Sequence, residues 1–116
     1  MTVIQIIHLV SGEHLISKIQ EVQEGGQSLC LNLVMPMSIV MDTPTTRDEK
    51  PIISFYPYSP FSSSPEFKIG FDKVVSVGEP SRLILEKYID VVQPKYPVLT
   101  PEELDKHVKE RKENND

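Results

Sequence analysis

The chain has 116 residues, a formal net charge of −5 and a pI of about 5.2. That length fits one domain, and the acidity excludes a domain-wide positive field, so any nucleic-acid contact has to be local. The single cysteine, Cys30, excludes an internal disulfide and a cysteine zinc cluster and suits a reducing compartment.

Residues 3–10, VIQIIHLV, are rich in β-branched side chains and read as a strand. The next stretch, SGEHLISKIQEVQEGG, is ambiguous. Leu15, Ile16, Ile19 and Val22 recur at helical spacing, yet Ser11-Gly12 also suits a hairpin turn. The strand reading is preferred because 3–10 then has a partner in 13–23. A second hairpin follows across Glu24-Gly25-Gly26-Gln27, so every connection is short. A bulge in a bent strand explains the imperfect alternation of 13–23.

Residues 28–41, SLCLNLVMPMSIVM, form the most apolar run, in which Cys30 reads as a small buried residue. Pro36 opposes a helix there, at a cost of about 3 kcal/mol, but is tolerated at a bulge or bend. The run is one long bent strand or two short ones. DTPTTRDEKP, 42–51, is a polar loop. IISFYPYS, 52–59, is a strand that Pro57 places at an edge or a bulge, and 60–66 is loop. FKIGFDKVVSV, 67–77, gives one or two strands with a turn near Gly70 to Lys73.

PSRLILEKYIDVV, 80–92, is helical, with Leu83, Ile84, Tyr88, Val91 and Val92 on one side, a start at Pro80-Ser81 and a stop at Pro94. Beyond it, Thr100 and Glu103 form a capping box with Pro101 at the first helical position. Only Leu104 and Val108 are apolar in the rest, so 94–116 reads as an exposed, mixed-charge tail that frays or stays disordered, and the folded domain as 1–93.

No catalytic or metal motif stands out. His8, His14 and His107 are scattered, and Glu13 and His14 point to opposite faces of a strand. HExxH, CxxC, GxSxG and the P-loop pattern are absent. No basic leader with an apolar core opens the chain, and no apolar run approaches ~18 residues. The expectations are a non-enzymatic cytoplasmic protein with no cofactor, no metal and no membrane partner. Phe55, Tyr56, Tyr58, Phe61, Phe67 and Phe71 cluster closely, as core and subunit interface or as a stacking surface.

The order of elements, with its long bent strand and glycine turn, resembles the Sm-like fold. HLVSGEHLISKIQEV, LNLVMPMSIVM, FYPYSPFSSSPEF and FKIGFDKVVSVGEPSRLILEKYI are similar to small Sm-like proteins of marine cyanophages and ocean metagenomes. The resemblance covers about residues 3–92 and lies in the order and spacing of short motifs. It implies an all-β, strongly bent five-stranded barrel with a C-terminal helix, whose edge strands pair between subunits into a ring. The resemblance implies a ring of about five to seven copies, the closed form that heterologous edge pairing takes when the rotation closes. It also implies RNA or single-stranded DNA binding, in the host cytoplasm if the gene is a phage's.

Here the base-holding turn of the family is Glu24-Gly25-Gly26-Gln27-Ser28, without Asp or Asn, which leaves Gln27 and Ser28 as its polar candidates. Gly70 and Phe71 stand where the family has Arg-Gly, and Asp72 and Lys73 occupy its polar pair. Phe71 would stack on a base and Lys73 reach a phosphate; alternatively Phe71 is core or interface and Lys73 a turn residue. The acidity and the missing arginine favour a second function, a phage structural or assembly scaffold that binds no nucleic acid.

Overall fold

A computed structural model describes residues 3–42 and 50–115, with side chains as far as residue 110. Six strands run in order: β1 (Ile4–Leu9), β2 (His14–Glu24), β3 (Gln27–Asp42), β4 (Ile52–Pro57), β5 (Glu66–Gly70) and β6 (Val74–Gly78). Two helices follow, α1 (Arg82–Val92) and α2 (Pro101–Asn115). The stretch 13–23 is therefore strand, and the protein is mostly β. The strand count is six, not five, because 67–77 splits around a 3-10 turn at Phe71–Lys73. Residues 43–49 of the polar loop expected at 42–51 lie outside the described residues.

All strand pairs are antiparallel, in the order β4-β3-β2-β1-β6, with β5 also on β3. Both expected hairpins form. Gly12 closes the first at φ 95°, and Gly25 and Gly26 the second at φ 61° and 82°, left-handed values that glycine adopts without the Cβ clash.

β3 serves two partners. Its residues Cys30–Val34 face Gly70–Glu66 of β5, and Met37–Asp42 face Pro57–Ile52 of β4. The change of partner falls at Met35-Pro36. There the β2–β3 register slips, since Ile16 faces Met37 but Lys18 faces Val34. Two residues of β3 thus stand against Ser17 alone, which is a β-bulge. Pro36 has no N–H to lose at such a place. The bulge's other backbone groups are engaged: Met35 N donates to Pro65 O at 2.7 Å and Tyr58 N to Pro36 O at 3.1 Å.

The bulge is also pinned from both faces. Ser17 is fully buried, and its hydroxyl lies 2.8 Å from the Lys18 carbonyl and 3.0 Å from that of Val34. Tyr88 of α1, equally buried, donates its hydroxyl to Met35 O at 2.8 Å. Burial pushes the Tyr88 phenol well above its ordinary pKa, so the hydroxyl keeps its proton and remains a donor.

The sheet bends sharply. Gly70 sits beside Cys30, which faces Val22 near one end of β2, whereas Val74 sits beside Leu9 at the other end. On a flat sheet those positions would be roughly 30 Å apart along β2, at ~3.3 Å per residue. Three residues reach only about 10 Å. The β1–β2 turn accordingly meets the 3-10 turn, where Val10 N donates to Lys73 O at 2.9 Å.

Bending gives two cores. Ile7, Leu9, Leu15, Leu31, Leu33 and Ile69 fill the inner face. Ile4, Ile16, Val34 and Met37 carry the outer face, which Tyr88, Ile89 and Val92 of α1 cover together with Val98 and Leu99. Ser81 caps α1, its hydroxyl accepting from Ile84 N at 3.4 Å.

Three expectations are corrected. Leu83 is 71% exposed and Val91 36%, while Leu85 and Ile89 pack inward, so the buried stripe of α1 is narrower and is centred on Tyr88. Cys30 is half-buried, because it lies near the end where the inner core runs out. The packed unit also extends past residue 93. Val98 is fully buried, and Gln93 holds the connector in place: its side-chain oxygen accepts from Val98 N and Leu99 N, both at 3.0 Å. The capping box forms as expected, with Thr100 N donating to Glu103 Oε1 at 2.9 Å and Glu103 N to Thr100 Oγ1 at 3.2 Å.

Replacing Tyr88 by Phe should lower unfolding stability by about 1–2 kcal/mol, since it orphans a part-buried carbonyl. Chemical denaturation measures this, with Ser17→Ala expected to cost a similar amount. Leu99→Ala should cost about 2 kcal/mol or more, whereas truncating a side chain in a loose tail would leave the denaturation midpoint unchanged.

Candidate functional site

The five residues singled out from the sequence fall on two turns. Gln27 and Ser28 begin β3 at the tip of the β2–β3 hairpin. Phe71, Asp72 and Lys73 make up the 3-10 turn between β5 and β6. The register brings the two turns to one end of the sheet. Gly70 pairs with Cys30, so Ser28 lies two residues further along β3, roughly 7 Å at strand spacing. The β1–β2 turn reaches the same place through Val10.

Phe71 is 42% exposed, so part of its ring is open to a stacking partner. Asp72 and Lys73 are both exposed and form a loose ion pair at 3.8 Å, of a kind that contributes little to stability. Gly70 admits no Cβ without displacing Asp72, whose Oδ1 would lie 2.6 Å from it. The Asp72 carboxylate therefore folds back over the start of the turn.

The hairpin tip is occupied by its own contacts. Ser28 Oγ donates to Glu21 Oε2 at 2.8 Å, and Gln23 Nε2 donates to the same oxygen at 3.2 Å. These two bonds, Ser28's first, hold the Glu21 carboxyl below its ordinary value. Near neutral pH a carboxylate therefore stands beside Ser28, and Glu24 adjoins it along the strand. The hairpin tip thus carries the carboxylates of Glu21 and Glu24, while Lys73 pairs with Asp72 in the neighbouring turn.

Two clefts lie elsewhere. One, of about 180 Å³, has an apolar floor of Val3, Ile4, Leu85 and Ile89 under the Glu103–Glu110 face of α2. The other, of about 360 Å³, lies beside the bulge among Met35, Pro36, Pro57, Pro60, Pro65 and Val91. Among the described residues no three His, Cys, Asp or Glu side chains converge to hold a metal ion.

Sequence reading missed one juxtaposition. His8 and His14, read as scattered, face each other across β1 and β2, with their rings stacked at 4.3 Å. The signal was available: a hairpin centred on Ser11 places residues 8 and 14 opposite. The aromatic cluster divides. Tyr58 and Phe67 meet edge to face at 5.6 Å over the inner core, while Phe61 is 97% exposed. No described helix is long and apolar enough to cross a membrane.

Residues 2–93 match the model of a family described as a family of unknown function, DUF6561. No curated protein matches the chain.

Replacing Ser28 by Ala should raise the Glu21 carboxyl back toward its ordinary value, read by NMR titration of the side-chain carboxyl. The sign follows from linkage. A carboxyl held low in the folded state adds stability above the ordinary value of 4.5, and that contribution is lost as pH falls through the lowered folded value. The wild-type and variant stability curves should therefore differ above pH ~4.5 and converge in acid.

Proposed function

The chain belongs to that family of unknown function, and since no activity comes with the membership, we propose one from the geometry. The protein is a non-enzymatic, Sm-like ring subunit that binds single-stranded RNA or DNA at the 3-10 turn, Phe71–Lys73. One observation carries the ring. Among the described residues β4, β5 and β6 are each paired on one side only, and β5 and β6 are joined by three residues, so a strongly bent sheet presents two adjacent strands with open edges. Open edges are templates for pairing with another chain. The edge of β6 also displays apolar side chains, Val75 at 58% exposure and Val77 at 42%. Pairing the β5 edge of one copy with the β6 edge of the next is a heterologous contact that closes into a ring when the rotation permits.

Nucleic-acid binding is supported by the partly exposed ring of Phe71 beside Lys73, repeated around such a ring at equivalent positions. Stacking on an aromatic ring tolerates any base, and the lysine supplies a phosphate contact. Gln27 and Ser28 would line the same track. A second reading is a phage assembly scaffold that uses the ring without nucleic acid. It is favoured by the engagement of Ser28 with the Glu21 carboxylate and by the negative charge around it.

Light scattering on the eluted protein tests the ring; about five to seven chains per particle are expected, and a clean monomer overturns it. Retention of a labelled single-stranded oligonucleotide tests the binding. It should fall steeply as salt rises, and Phe71→Ala should weaken it roughly 5- to 100-fold, the loss of ~1–3 kcal/mol of stacking. Lys73→Ala should reduce the salt slope. An assembled ring that retains no oligonucleotide at low salt selects the scaffold.

A further inference from the structure

His8 and His14 sit opposite each other in β1 and β2, next to the turn at Val10–Gly12. Leu9 N donates to Glu13 O at 2.9 Å, and Ile19 N to Val3 O at 2.8 Å. The ladder bonds therefore fall on odd-numbered residues of β1. His8–His14 is then a pair without ladder bonds, the kind whose side chains approach most closely. Their ring centroids are 4.3 Å apart, with 11° between the planes. His14 is exposed and His8 half-buried. The pair lies on the outer face of the sheet, as Ile4 and Ile16 do, but beyond the part that α1 covers. Across β1 the row continues to Ser76 of β6.

We propose that His8 and His14 form a binding site for a first-row divalent transition-metal ion of the type that favours imidazole, Ni²⁺, Cu²⁺ or Zn²⁺. Two imidazoles fixed side by side supply two nitrogen ligands. Turning each ring about its Cβ–Cγ bond, a soft torsion, brings a nitrogen of each onto one ion without moving the backbone. The second ligand binds at high effective concentration, because the strand pairing has already placed it there. Solvent on the open side completes the coordination shell. The two imidazole nitrogens select against hard oxygen-seeking ions such as Mg²⁺ and Ca²⁺. The ion would bridge the first hairpin beside the turn that meets Lys73.

Isothermal titration of the full chain with Ni²⁺ tests the site. One ion per chain is expected, bound roughly tenfold or more tightly than by His14→Ala or His8→Ala, each of which keeps one ligand of the chelate. NMR of the wild-type protein needs no variant. Paramagnetic Ni²⁺ should broaden the imidazole signals of His8 and His14 together and spare His107. Equal affinity in wild type and both variants, or broadening that begins at His107, overturns the proposal and leaves the pair a stacked aromatic contact.

Discussion

The fold depends on the two-residue bulge at Met35-Pro36. A straight β3 could not pair with β5 over its first half and with β4 over its second while the sheet folds back on itself. The bulge supplies the change of direction, and it is unfavourable in isolation. Met35 adopts φ 52°, a left-handed conformation that costs a non-glycine residue about 1–2 kcal/mol. Two buried hydroxyls, from Ser17 and Tyr88, offset that cost by giving the displaced carbonyls of Val34 and Met35 partners. A helix that follows the sheet in sequence thus holds the sheet's own irregularity in place.

Bending has a second effect. It makes both faces of the middle parts of β1, β2 and β3 interior, one rolled inward and one under α1. In β2 Leu15 and Ile16 are adjacent in sequence and both fully buried, on opposite faces. The same bend brings the β1–β2 turn, the 3-10 turn and the β2–β3 tip to one region. Residues that are far apart in sequence therefore share the end of the sheet where the proposed nucleic-acid track and the histidine pair lie.

Much of this was legible in the sequence. Strand content, both hairpins, the irregularity at Pro36, the Ser81 start of α1 and the Thr100–Glu103 box follow from local chemistry that tertiary structure left in force. The ambiguity of 13–23 has a physical source. The bulge expected in that stretch lies instead in the facing β3, and it is two-sided burial, with Leu15, Ile16 and Ser17 all fully buried, that replaces the two-residue alternation of a strand with spacings that imitate a helix. The face of α1 was misjudged at Leu83 and Val91 because periodicity fixes a stripe's spacing but not its centre, and here the centre is set by the reach of the Tyr88 hydroxyl. The burial of Val98 and Leu99 was hidden because Gln93, a polar side chain, organises it. For the candidate site, the turn positions of Phe71, Asp72 and Lys73 were readable. The engagement of Ser28 by Glu21 required the hairpin register.

The three-residue link between β5 and β6 has a kinetic meaning. Every strand pair except two joins consecutive strands, and those form from short loops. β3–β5 closes a longer loop, and β1–β6 joins the two ends of the sheet, with Ile6 against Gly78 and Leu9 against Val74. Such distant contacts carry most of the loop-closure entropy, so they set the folding rate. Because β6 follows β5 at once, completing β3–β5 delivers β6 to the edge of β1 within one short step. On this loop-closure argument the last two strands add as a single latch, covering a β1 edge that would otherwise stand open to another chain.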